Sequence, residues 1–394
     1  MSLEAPLLRP SWVEVDLDAI EHNLAQVKTL LAGTKLCAVV KADAYGLGAV
    51  PVSRTLSRLG VDALGVVMLD EAVQLRQSGI TTPILNMGEI LSQHADYVAA
   101  FEIEQMVYRP EVAKALSDAA GRQGKKVKVH LKVNTGMGRY GCSYEQALPT
   151  IQQCLHYPHL EFVGVMTHFP LSDAIDKSFA QLQIIRMQQL RQVFQKNGIH
   201  IPTWHLCNSG AVLDLAQAHM DMVRCGLLLY GYYPSQEVCM PLKLRPAMTV
   251  KSHIIALRDL RRGDSVGYSR RFIAEKAERV AVLPIGYADG YDRKIRTGGT
   301  VLLQGRIAPI VSGLCMDACF IKITEFPDAK IGDPVILMGR DGDKEISPHD
   351  IAGHIQSVSY EVIARFGKRL PRVYFQNGRI VETVNAMMKP ILPC

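Results

Sequence analysis

Eight times between residues 36 and 226 a short apolar run gives way to a stretch with helical periodicity, and this alternation constrains the fold more than any other feature. The runs are "LCAVVK" (36–41), "ALGVVML" (63–69), "PILNMG" (83–88), "DYVAAF" (96–101), "VKVHLKV" (127–133), "EFVGVMTHF" (161–169), "TWHLCN" (203–208) and "MVRCG" (222–226). Most are apolar throughout rather than alternating, as expected of strands covered on both faces. Strands of that kind separated by helices make a parallel α/β sheet, and eight units suit a closed (β/α)8 TIM barrel. A doubly wound open sheet is the rival, but no GxGxxG follows the first run.

An alternating strand, "WVEVDL", precedes the barrel pattern. Asp18 with Glu21 reads as a capping-box start for a helix whose apolar stripe is Ile20, Leu24, Val27 and Leu31, with Gly33 as its stop. Past Pro241 and Pro246 the texture changes to glycine-punctuated β runs such as "VAVLPIGYADG" and "TVLLQGRIAPIVSG". The sequence therefore predicts a barrel over residues 18–240 and a mostly β C-terminal domain over 241–394, joined by the N-terminal strand 11–17. Two short helices interrupt the second domain, one capped by Ser347 with Pro348 at its first position and one over "SYEVIARF".

Composition excludes several classes. The net charge of +6 is mild and its basic residues are scattered, which argues against nucleic acid as a partner. No run approaches the length of a membrane span, and "MSLEAPLLRPSW" lacks the plan of a secretory signal, so the cytoplasm is the expected location. Nine dispersed cysteines without a CxxC pair point to reduced thiols. Cys315 and Cys319 are expected on one face of a strand, in the core, and no HExxH or histidine cluster supports a metal.

Barrel chemistry gathers at the C-terminal ends of strands. Those ends here carry Lys41, Arg139, Thr167-His168, Asn208-Ser209 and Arg224. A lone lysine at a strand end is equally explained by a stem on the core and an ammonium in water. Five polar positions on one expected rim call for another explanation. Glycines in "NSG" (208–210) and "CGLLLYG" (225–231) follow the last two strands, where barrels often seat phosphate on backbone N–H groups. A lysine among cations, with its pKa lowered, could form a Schiff base.

These residues resemble the alanine racemase family, enzymes of fold-type III dependent on pyridoxal 5'-phosphate. "AVVKADAYGLGA" is similar to the family's cofactor-lysine signature. "HLKVNTGMGRYG", "VMTHFP", "CNSGAVL", "MVRCGLLLYG", "VGYSRRF", "LPIGYADGYDR", "CMDA" and "SYEVIARFGKRLPRVY" match further blocks in family order. The resemblance implies that Lys41 holds the cofactor, while Tyr45, Asn208, Ser209, Gly226, Leu227 and Tyr360 surround its phosphate. It implies that His168 lies against the pyridine ring, Arg224 faces the ring nitrogen and Arg139 bonds the phenolic oxygen and the substrate. Lys132 aligns with a lysine that is carbamylated in some members. Tyr268 would be the second catalytic base and Met316 would bind the substrate carboxylate, both from the other subunit of a homodimer. The implied reaction interconverts L- and D-alanine, supplying D-alanine for peptidoglycan.

Four departures from the family pattern stand out: Asp43, Leu47, Asn134, and Ser312-Gly313 where many members read Gly-Arg. The last concerns substrate access. The alternatives are a broad-specificity or serine/alanine racemase, a non-catalytic carrier of the cofactor, and a decarboxylase. Tyr268 and the β domain argue against the carrier, and "CMDA" argues against the decarboxylase.

Overall fold

A computed structural model describes residues 7–296 and 298–388. The chain forms two units, one comprising residues 20–44 and 49–245, the other residues up to Ala19, Tyr45–Gly48, and the chain from Pro246 onward.

The first unit is an eight-stranded parallel barrel. Its strands run, in neighbour order, Met222–Cys225, Lys35–Val39, Ala63–Val66, Ile84–Asn86, Glu104–Val107, Val127–Asn134, Leu160–Met166 and Thr203–His205. The ring is nearly closed where the Asp221 N–H donates to Trp204 O (3.1 Å) and the Arg224 N–H donates to Cys207 O (3.1 Å). Strands such as Ala63–Val66 and Met222–Cys225 are buried at every residue, as unbroken apolar runs require.

The fourth strand departs from expectation. Residues 96–101, read above as a strand, lie mostly in the helix Ala95–Ala100, and the strand is Glu104–Val107. "DYVAAF" buries Val98 and Ala99 while Tyr97 faces solvent, a helical rather than a strand pattern. "EQMV" looked too polar, yet Gln105 is fully buried: its amide donates to Gly88 O (2.8 Å) and Met106 O (2.7 Å) and accepts from Asn86 (2.8 Å). A second correction concerns the first helix, Leu17–Lys28, where Asp16 rather than Asp18 accepts from the Ala19 N–H (2.9 Å). Asp18 accepts instead from the Asn377 N–H (2.6 Å).

In the second unit the strand Ser11–Asp16 pairs antiparallel with Met248–His253 on one side and parallel with Arg372–Gln376 on the other. The break in texture falls at 245/246, a few residues beyond the expected 240. The unit also claims Tyr45–Gly48, because that segment is locked into it. Arg372, buried, donates to Gly46 O, Phe366 O, Gly367 O and Leu370 O, and the Tyr374 hydroxyl donates to Leu47 O (2.9 Å). Ser347 caps the helix Pro348–Ile355 as expected, accepting from the Asp350 N–H. Cys319 opens the buried strand Cys319–Lys322, but Cys315 lies in the loop before it, so the two do not share a strand face.

Candidate active site

The barrel places Lys41, Lys132, Arg139, His168 and Arg224 close enough to perturb one another. Lys41 follows the first strand and is half-buried. Burial lowers its pKa, the charge of Arg139 lowers it further, and Glu71 opposes both. Four non-glycine residues after it, Ala42 to Tyr45, have φ between 51° and 55°. Such a left-handed turn costs about 1–2 kcal/mol per residue, so surrounding bonds must hold it. Glu71 supplies one, accepting from the Ala42 N–H (2.5 Å) through one oxygen and from the Val67 and Met68 N–H groups through the other. Asp43 supplies a second, accepting from the Ala49 N–H (2.7 Å).

Arg224 is almost fully buried in the last strand, with carbonyls and imidazoles for partners. Its Nη1 donates to His205 O (2.7 Å) and His205 Nδ1 (3.1 Å), and its Nη2 donates to Thr167 O (2.8 Å) and Leu206 O (3.0 Å). Nη2 also faces His168 Nδ1 at 3.4 Å. Burial without a carboxylate pushes the guanidinium down to about 10. His168 is held far below the usual imidazole range by burial and then by Arg224, Lys132, Arg139 and Lys41, so the ring is neutral. Gln183 steadies its backbone, donating to His168 O (3.1 Å). Lys132 is buried with no carboxylate partner among the described residues, and burial followed by Arg224 and Arg139 drives its pKa far down.

Arg139 lies in the exposed loop after the fifth strand, over the Tyr140 ring at 5.7 Å. Asn134 shapes that loop, its side-chain oxygen accepting from the Gly136 (3.1 Å) and Gly138 (3.0 Å) N–H groups. Two strands further round the ring, Asn208 caps the helix Ser209–Asp214, accepting from the Ala211 N–H (3.1 Å) and the Ser172 hydroxyl (2.7 Å). Its side chain is thus occupied with shaping the loop. Ser209 Oγ accepts from the Gly226 N–H (3.1 Å) and pairs with Cys225 Sγ (3.7 Å). Leu227 opens the turn Leu227–Tyr230, where the first N–H has no intrahelical acceptor.

The family model described as alanine racemase, N-terminal domain, matches residues 15–234, and that of the C-terminal domain matches 247–374. The chain is 40% identical to the alanine racemase of Clostridium perfringens over 96% of this chain and 98% of that one. Its backbone superposes on a solved alanine racemase of Clostridium difficile 630 with a TM-score of 0.93, at 34% identity, covering 97% of this chain and 100% of that chain. A structure from Bacillus anthracis with bound L-Ala-P gives 0.91 at 32% identity, covering 97% of this chain and 99% of that chain. The chain belongs to the alanine racemase family. It is an isomerase.

The remaining positions expected of an alanine racemase lie in the β-rich unit. Tyr268 stands in the turn Tyr268–Arg270, 74% exposed, between Gly267 (φ 77°) and Ser269 (φ 60°). Ser312, at φ 68°, steadies the approach to that turn by donating to Val266 O (2.8 Å). Met316 is exposed in a loop tied to "GYAD": the Tyr287 N–H donates to Cys315 O (3.2 Å) and the Ala288 N–H donates to Met316 O (3.1 Å). The rings of Tyr45 and Tyr360 lie 6.3 Å apart. Arg293 lies over the Tyr287 ring at 5.5 Å.

Sequence reasoning missed Glu71, His130 and His205. Glu71 was discoverable as the acid three residues into "MLDE", a capping signature directly after the second strand. The two histidines sit inside apolar strands, where a single sequence gives no cue that they face each other.

Proposed function

We propose that this chain interconverts L- and D-alanine with pyridoxal 5'-phosphate bound at the barrel mouth, Lys41 and Tyr268 serving as paired acid and base. The observation carrying this reading is electrostatic. Lys41, Lys132, Arg139 and Arg224 act on one another through charge, and Glu71 is the acid that enters the balance at Lys41. A group with a phosphate and a phenolic oxygen would meet the arginines of this set with anionic charge. The cofactor, when bound, supplies an electron sink that acidifies the substrate Cα–H.

The residues divide the remaining tasks. Lys41, its amine biased toward the neutral form, holds the cofactor and exchanges a proton with one face of Cα. Tyr268 exchanges a proton with the other face, donated from the second subunit of a homodimer. The Ser209 hydroxyl, the Gly226 and Leu227 backbone, and the Tyr45 and Tyr360 hydroxyls take the phosphate, with Asn208 shaping the loop. Arg139 takes the phenolic oxygen and the substrate carboxylate, helped by the Met316 N–H. His168 packs neutral against the ring. Arg224 presents only donors toward the ring nitrogen, and a guanidinium has no proton to spare for it, which limits how much charge the ring withdraws. Lys132, buried, without a carboxylate and biased toward the neutral amine, is suited to carbamylation, which would give Arg139 an anionic partner. D-alanine made in the cytoplasm would feed peptidoglycan.

Incubating the enzyme with L-alanine and the cofactor, with chiral detection of the product, tests the reading. Lys41→Ala should abolish both cofactor absorbance and turnover. Tyr268→Phe should keep the absorbance and lose Cα–H exchange for one enantiomer. A panel of L-amino acids decides specificity, and a larger substrate turning over faster than alanine would favour the broad-specificity alternative.

A further inference from the structure

Behind Arg224 a line of buried polar groups crosses the barrel. Arg224 Nη1 lies 3.1 Å from His205 Nδ1, His205 Nε2 lies 2.9 Å from His130 Nδ1, and His130 Nε2 lies 3.0 Å from Glu104 Oε2. His205 is fully buried and His130 is 2% exposed, while the Glu104 side chain reaches the opposite end of the barrel at 16%. There it borders a cavity lined by Lys35, Asp62, Lys128 and His130. Two departures from regular structure make room for the line. The strand pairing shifts register at Val129/His130, and the neighbouring strand carries Gly164, whose missing Cβ would sit 2.0 Å from His130 Nδ1.

The donor inventory fixes every proton in this line. A guanidinium only donates, so His205 Nδ1 must accept. His205 therefore carries its proton on Nε2 and donates it to His130 Nδ1. His130 is left to donate from Nε2, and the terminal carboxylate only accepts. We infer that Glu104 is a positioning residue for the reaction: through His130 and His205 it locks both imidazoles as neutral Nε2–H tautomers and so fixes the orientation of Arg224. Reversing either imidazole would set two donors or two acceptors against each other. The relevance of that lock to racemisation rests on the proposed place of Arg224 at the cofactor ring.

The charged surroundings agree with a neutral His205. Burial, then Arg224, His130 and Lys132, keep His205 far below the usual imidazole range. Burial works to raise the Glu104 pKa, but the His130 hydrogen bond, with Lys128 and Arg76 nearby, leaves it below the usual carboxylate value.

The test is nitrogen NMR of the full-length enzyme with isotope-labelled histidine, without and with cofactor. Wild-type His130 and His205 should both show the neutral Nε2–H signature at the pH at which the enzyme is active. Glu104→Gln, which keeps an acceptor, should preserve both signatures. Glu104→Leu should leave the His130 Nε2–H without its acceptor, shift the His130 and His205 resonances, and lower kcat/KM about tenfold, the effect of one buried hydrogen bond lost at a distance. A wild-type His205 protonated on Nδ1, or a His205 spectrum unmoved in Glu104→Leu, would overturn the inference. The wild-type spectrum tests it even where a variant does not fold. Because the tautomers are read without cofactor, their failure is distinguishable from failure of the proposed chemistry.

Discussion

Replacing Gly164 with alanine probes the barrel interior with a single methyl group. The added carbon would lie 2.0 Å from His130 Nδ1 and 2.6 Å from its Cε1, far inside contact distance. The imidazole has no free space to enter, so either the ring or the strand moves. Overpacking of this kind costs about 1–3 kcal/mol. Displacing the ring also strains its bonds to His205 and Glu104, each worth about 1 kcal/mol net. The sum of about 3–5 kcal/mol corresponds to a fall in melting temperature of roughly 6–20 °C for a unit of this size. Calorimetry of Gly164→Ala should show it. In a His130→Ala background, where the obstructing ring is gone, the same glycine replacement should cost less than about 1 kcal/mol. Gly164→Ala melting within a degree of wild type would refute the packing argument.

Three further outcomes are expected. Gly48→Ala should destabilise the enzyme in urea by about 2–4 kcal/mol, since φ is +100° and the new carbon would lie 1.8 Å from the Tyr374 hydroxyl oxygen. Glu278 is held below the usual carboxylate range by hydrogen bonds from Lys322 and Thr324, so its stabilisation is present above about pH 4.3 and lost as pH falls through its lowered value. Glu278→Gln should therefore lower the melting temperature at pH 7, with the difference from wild type shrinking as pH falls below about 4.3. Glu71 raises the Lys41 pKa, so in cofactor-free Glu71→Gln the midpoint for labelling the Lys41 amine should move to lower pH.

The barrel was legible because seven of its strands announce themselves as apolar runs. The fourth did not, because Gln105 is buried by virtue of Asn86 and Gly88, which come from another strand and its loop. At the site, the chemically distinctive residues were legible from their place at strand ends and in family blocks. The residues that hold them were less so. Asp16 instead of Asp18 at the first helix is a choice between two adjacent carboxylates that only backbone geometry makes. The path Glu104–His130–His205 spans three separate strands, and no local pattern records it.

The strand Ser11–Asp16 has neighbours made long after it: Met248–His253 and Arg372–Gln376. On a translating ribosome its edges stay bare while more than 200 further residues emerge, and the second edge waits for the last strands of the fold. Alternating charges in "VEVD" suit a segment that must remain unpaired that long without finding a wrong partner. Assembly of the β-rich unit therefore waits for residues 372–376, and a nascent chain halted before residue 372 would lack the parallel neighbour of its own first strand.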